Sequence, residues 1–97
     1  MAEELTSQQR ARLRSRARRM AAQLNIGKAG LSPSLVEHLG RLLGRQELVK
    51  VRLLESVADD RRELAQKLAQ AVQAEVIDLV GRVIVLYRPK PADAEGS

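Results

Sequence analysis

Hydrophobic positions along this chain fall into blocks whose spacing switches between the helical repeat and the period of two that marks a strand. In the first block Leu13, Ala17, Met20 and Leu24 share one stripe of a helical wheel, about 60° wide, with arginines over most of the remaining surface. Thr6, followed three places on by Gln9, has the capping-box spacing and sets the start of this helix. The helix has to end between Met20 and Gln23, so that residues 23–26 can extend toward the glycines that follow. A second helix runs from Ser32 to about Arg45, with Leu35, Val36, Leu39, Leu42 and Leu43 on its buried side. Gly40 and Gly44 each cost ~1 kcal/mol there relative to alanine, which close packing against a neighbour would offset.

Beyond that helix the period changes. Val49, Val51 and Leu53 alternate with Lys50 and Arg52, predicting a strand with one basic face. Asp59 and Asp60 open a third helix, with Glu63 at the capping-box position and Leu64, Leu68, Ala71 and Val72 as its apolar seam. Residues 75–80 and 82–88 form two more strands joined in a tight hairpin at Gly81. Val83-Ile84-Val85-Leu86 lacks alternation, which predicts a central strand covered on both faces. Pro89 and Pro91 end it, and residues 92–97 read as a frayed tail.

The predicted order is αβαβαββ, an α/β chain of the two-layer α+β type, in one domain over residues 1–91. Each strand–helix–strand unit implies parallel neighbours joined by a right-handed crossover, and the last hairpin adds an antiparallel pair. A four-stranded mixed sheet with three helices is therefore expected.

Composition narrows the function. Ninety-seven residues with 44% apolar content suit one folded domain, and the absence of cysteine leaves no disulfide framework and no thiolate chemistry. No apolar run nears the ~20 residues that span a bilayer, and no apolar signal region opens the chain; a cytoplasmic location is the expectation. Charge is more telling. Seventeen Lys and Arg face twelve Asp and Glu, and between Leu5 and Val36 every charged residue is basic. Such a one-sided positive field favours polyanions, the plainer alternative being a solvated helix face.

One stretch gives that charge a focus. Asn25-Ile26-Gly27-Lys28-Ala29-Gly30-Leu31-Ser32-Pro33 is a short apolar run, a glycine-bracketed turn and a helix start. Ser32 is a favourable N-cap and Pro33 suits the first helical position, where a missing N–H costs nothing. The glycines bring backbone amides within reach of an anion at the positive end of a helix dipole, and Lys28 adds a charge at the tip. Gly27, Lys28, Ala29 and Gly30 are thus candidate phosphate contacts, with Arg14 and Arg18 of the first helix beside them. Lys50 and Arg52 extend the track if their strand face lies next to the loop, and are otherwise the wet face of a strand. Arg88 and Lys90, at the end of the last strand and just past it, are further candidates.

Three blocks now stand in a fixed order: Ile26-Gly27-Lys28-Ala29-Gly30-Leu31-Ser32, then Gln46-Glu47-Leu48-Val49-Lys50-Val51-Arg52, then residues 81–89 from Gly81 to Pro89. Together they resemble the CRM domain (chloroplast RNA splicing and ribosome maturation), in particular its single-domain bacterial YhbY-type members. The resemblance spans roughly Leu5 to Pro89. It implies a fold similar to the C-terminal domain of translation initiation factor three and a G-x-x-G loop like the phosphate clamp of KH domains. It also implies RNA as partner, ribosomal RNA of large-subunit (50S) precursors in the bacterial members. The family usually carries Lys-Pro and an apolar β run ahead of the loop, whereas residues 20–25 here have neither the proline nor β-branched residues.

Other chemistries find little support. Walker spacing, clustered metal ligands and a nucleophile–base pair are missing, so neither an enzyme nor a cofactor, metal or small-molecule site is expected. His38 sits at the edge of the second helix's apolar stripe and reads as a half-buried spacer. Tyr87 is the single aromatic residue, so base stacking of the RRM or OB kind is unavailable and recognition should run through backbone phosphates. The first helix has too thin a seam, and no Trp or Phe, to anchor in a membrane. A basic monomer is the expected state.

Overall fold

Each helix begins where a side chain can take up a first-turn amide. In the computed structural model, which describes residues 5–27, 30–54 and 60–89, Thr6 Oγ1 accepts from the Gln9 amide at 3.0 Å and Gln9 Oε1 from the Thr6 amide at 2.8 Å. That reciprocal box starts α1 (Ser7–Arg18). Ser32 Oγ accepts from Leu35 at 3.2 Å and Pro33 is the first residue of α2 (Pro33–Gln46). Asp60 accepts from the amides of Arg62 and Glu63 ahead of α3 (Arg61–Val72). Asp59, expected to share that role, lies outside the described residues, as do Lys90 and the tail over residues 92–97. Glu63 directs its carboxylate forward to Lys67 at 3.2 Å. Helices α2 and α3 end on Glu47 and Gln73, both at positive φ (65° and 56°) without being glycine.

Four strands, β1 (Leu24–Ile26), β2 (Leu48–Leu53), β3 (Glu75–Val80) and β4 (Val83–Tyr87), form one sheet in the order β1-β2-β4-β3. β1 and β2 are parallel, as the first strand–helix–strand unit requires. The second unit departs from expectation. β4 lies between β2 and β3 and is antiparallel to both, so those two are not neighbours. The reason is in β4 itself, whose Ile84, Val85 and Leu86 are all buried and need cover on both faces. Only an interior strand receives that.

The sheet has a core on each side. On one, Val49, Val51, Leu53, Ile84 and Leu86 pack with Leu39 and Leu43 of α2 and with Leu64, Leu68 and Val72 of α3. On the other, Leu13 and Ala17 of α1 meet Leu48, Ile77 and Val85, edged by Leu5, Met20 and Tyr87. Burial of a large aliphatic side chain contributes ~1.5–3 kcal/mol, so the α2–α3 side carries most of the stability and α1 is held by few anchors. A bulge in β3 serves that smaller core. Val76 pairs with Leu86 and Asp78 with Val85, which leaves Ile77 as the extra residue. Ile77 and Asp78 consequently both face α1, one as a buried plug and one at the edge.

Four expectations about single residues are corrected. Leu24 belongs to β1 and packs toward α2 and α3, so the α1 seam stops at Met20. Ala71 is exposed, and Ala65 and Ala69 are buried in its place. His38 is exposed, because the inward face of α2 centres on Leu39 and Leu43. A Cβ on Gly40 would meet nothing within 4 Å, and one on Gly44 only the Arg88 guanidinium at 3.8 Å, so close packing does not account for these glycines.

Candidate functional site

The glycine turn is built as its residue types dictate. Ile26, fully buried, ends β1, and its carbonyl accepts from the Leu54 amide at 2.9 Å. The chain then reverses, with the Gly30 amide donating to the Gly27 carbonyl at 3.0 Å. Gly30 sits at φ +67°, the left-handed region that favours glycine, and a Cβ there would enter open space. Gly27 has Leu54 Cδ1 3.4 Å from its would-be Cβ. Lys28 and Ala29, the central residues of the turn, lie outside the described residues. The following helix N-terminus has no acidic residue in its first turn. However, Pro33 has no amide, Leu35 is taken by Ser32 Oγ and Val36 by the Ser32 carbonyl, leaving the Ser34 amide available. The helix dipole persists at this end.

On the other face of the sheet, α1 offers a dense cationic surface. Arg10 is spent on docking: it pairs with Glu75 at 2.9 Å and donates to the Val76 carbonyl at 3.3 Å. Among the described residues Arg12, Arg14, Arg16, Arg18 and Arg19 have no carboxylate within ion-pair distance. The three ion pairs found there belong to Arg10, Arg41 and Lys67. Arg14 and Arg18 wall a groove of about 360 Å³ between α1 and the sheet, floored by Ala17, Val83 and Val85.

The two strand cations named from sequence part company. Lys50 is half-buried, and its Nζ donates to the carbonyls of Ala17 (3.0 Å) and Met20 (2.9 Å), closing off the C-terminal end of α1. Its charge answers the negative end of that helix, which the alternation of β2 had no means of revealing. Arg52, two residues on and so on the same face, is exposed. It pairs across the sheet with Asn25, two residues before Gly27, and thus flanks the turn. Arg88 also departs from expectation. Its guanidinium donates to the carbonyls of Val72 (2.8 Å) and Gly40 (2.9 Å), and its amide to that of Glu47 (2.8 Å), which ties α2, α3 and β4 together.

Two arginines were missed from the sequence. Arg82, in the β3–β4 turn, is exposed and donates to the Leu54 carbonyl at 3.3 Å, placing it next to the glycine turn. Arg61, at the start of α3, donates to the Gly81 carbonyl. Arg82 became legible only through the antiparallel register of β2 and β4, which sets Val83 opposite Arg52. Among the described residues no group of three or more His, Asp and Glu gathers as metal ligands would, and no helix is long and apolar enough to cross a membrane.

A mixed four-stranded sheet with helices on both faces, and with Arg52 and Arg82 exposed beside a glycine turn, defines a small α+β domain. Residues 5–88 match the CRS1 / YhbY (CRM) domain, and the chain belongs to that family. It is 29% identical over 84 residues to "Probable RNA-binding protein YqeI" of Bacillus subtilis, covering 87% of this chain and 88% of that one. A Methanocaldococcus jannaschii protein also named as a probable RNA-binding protein is 35% identical over 89 residues, 90% of this chain and 66% of its own. The solution structure of a hypothetical Staphylococcus aureus protein superposes with a TM-score of 0.77 at 34% identity, covering 91% of this chain and 92% of that one.

Proposed function

We propose that this protein binds RNA without catalysis, gripping the sugar–phosphate backbone with the cationic face of α1, Arg52 and the turn from Gly27 to Gly30. Five arginines on α1 and at its C-cap, without carboxylate partners among the described residues, carry the reading, since a face kept for solubility alone would interleave both signs. The names of its relatives point the same way. Within the cell the partner we assign is ribosomal RNA in precursors of the large subunit, met by a monomer in the cytoplasm, a reading that rests on the YhbY-type resemblance.

Crosslinking in cells, sequencing of the attached RNA and gradient sedimentation test it together. Large-subunit ribosomal RNA in the crosslinks and the protein in pre-50S fractions are expected. Crosslinks spread over unrelated transcripts, with the protein at the top of the gradient, would indicate a general RNA chaperone. An absence of RNA crosslinks would overturn both.

A further inference from the structure

The groove under α1 contains a group that a phosphate track should avoid. Asp78 lines it together with Arg14, Arg18, Lys50, Val80 and Val83, and is the acidic residue among its lining. A carboxylate there repels a polyanion, yet no cation stands within ion-pair distance of it among the described residues. Its Oδ1 accepts from the Leu79 amide at 3.0 Å, which leaves Oδ2 without a partner among the described residues. The β3 bulge is what turns Asp78 to this face; regular alternation would place Ile77 and Asp78 on opposite sides. Apolar surface continues beside the carboxylate, where Val80 is 62% exposed. The site therefore joins a flat aliphatic floor, two arginine walls and one acceptor pair.

We infer that this groove takes a single unstacked guanine base from the bound RNA, an inference that rests on the RNA-binding reading above. A base slid between Val80, Val83 and the arginine planes replaces the aromatic platform the chain lacks, since guanidinium planes stack on bases. Asp78 then accepts from the Watson–Crick edge. Guanine is the one common base whose edge offers two adjacent N–H donors, matching a carboxylate; adenine, cytosine and uracil offer one donor group each.

The test uses fluorescence anisotropy with oligouridine carrying one central guanine, inosine, adenine or uracil. The full-length protein should prefer guanine over inosine, which lacks the 2-amino donor, by roughly tenfold, with adenine and uracil no better. Asp78→Asn keeps an oxygen for the Leu79 amide, so it preserves the bulge while removing the charge. That variant should lose the guanine preference and bind oligouridine more tightly than wild type does. Equal wild-type affinity for all four, or a uniform loss in Asp78→Asn with the preference intact, overturns the base site and leaves phosphate binding standing. If wild type binds none of the four or any ribosomal transcript, the RNA reading falls with it.

Discussion

Lys50→Met separates a structural cation from a binding one. The substitution keeps an unbranched apolar stem beneath α1 and removes the ammonium that bonds the carbonyls of Ala17 and Met20. A hydrogen bond to a charged group contributes ~1.5–3 kcal/mol net. Because Lys50 is half-buried and water can reach part of the helix end, the pair together merits the lower part of that range, about 2 kcal/mol. Against a total stability of ~5–15 kcal/mol this is a large loss. It falls on a helix otherwise held by Leu13, Ala17 and the Arg10–Glu75 pair. Urea unfolding followed by circular dichroism should show a lower midpoint. RNA affinity measured across salt concentrations, under conditions where the variant is folded, should keep the wild-type slope. A variant within about 0.5 kcal/mol of wild type in stability, with a slope reduced by ~0.7–0.9, would place the ammonium on phosphate and refute the reasoning.

Further outcomes follow from neighbouring residues. Arg88→Met should cost about 2–4 kcal/mol, and Arg88→Lys should recover little of it, because a single ammonium cannot span the Val72 and Gly40 carbonyls as a planar fork does; wild-type stability in the lysine variant would contradict that. Gly40→Ala should raise stability by about 1 kcal/mol in the same urea assay, since its Cβ enters open space within α2, and a fall would reveal a close approach the structure does not contain. Arg14→Gln combined with Arg18→Gln should weaken binding to structured ribosomal RNA and to unrelated RNA alike and flatten the salt slope, whereas a loss confined to one of the two would speak against backbone contacts.

Local signals in the chain carried most of the fold. Caps at Thr6, Ser32 and Asp60, the alternation of β2 and the unbroken apolar run of β4 each reflect short-range chemistry and recur in the structure. What escaped was long-range. The insertion of β4 between β2 and β3 depends on which strand most needs double cover, a comparison across the whole sheet. Lys50 and Arg88 read as surface cations because nothing near them in sequence shows that the carbonyls of residues 17 and 20, and of 40 and 72, arrive beside them. Arg82 was hidden for the converse reason, its nearness to the glycine turn arising from antiparallel pairing alone. The bulge at Ile77, which turns Asp78 toward the groove, leaves no trace in the hydrophobic pattern.

Gly30→Asp tests the central claim most directly, with binding to a large-subunit ribosomal RNA transcript measured at low salt beside wild type. At φ +67° aspartate is tolerated better than most residues, and its Cβ meets nothing, so the cost is ~1–2 kcal/mol and the fold should persist with cooperative unfolding. A carboxylate set where a phosphate should lie ought then to abolish binding. Wild-type affinity in a folded Gly30→Asp protein would contradict the account, because the RNA backbone would have to be held somewhere other than the turn.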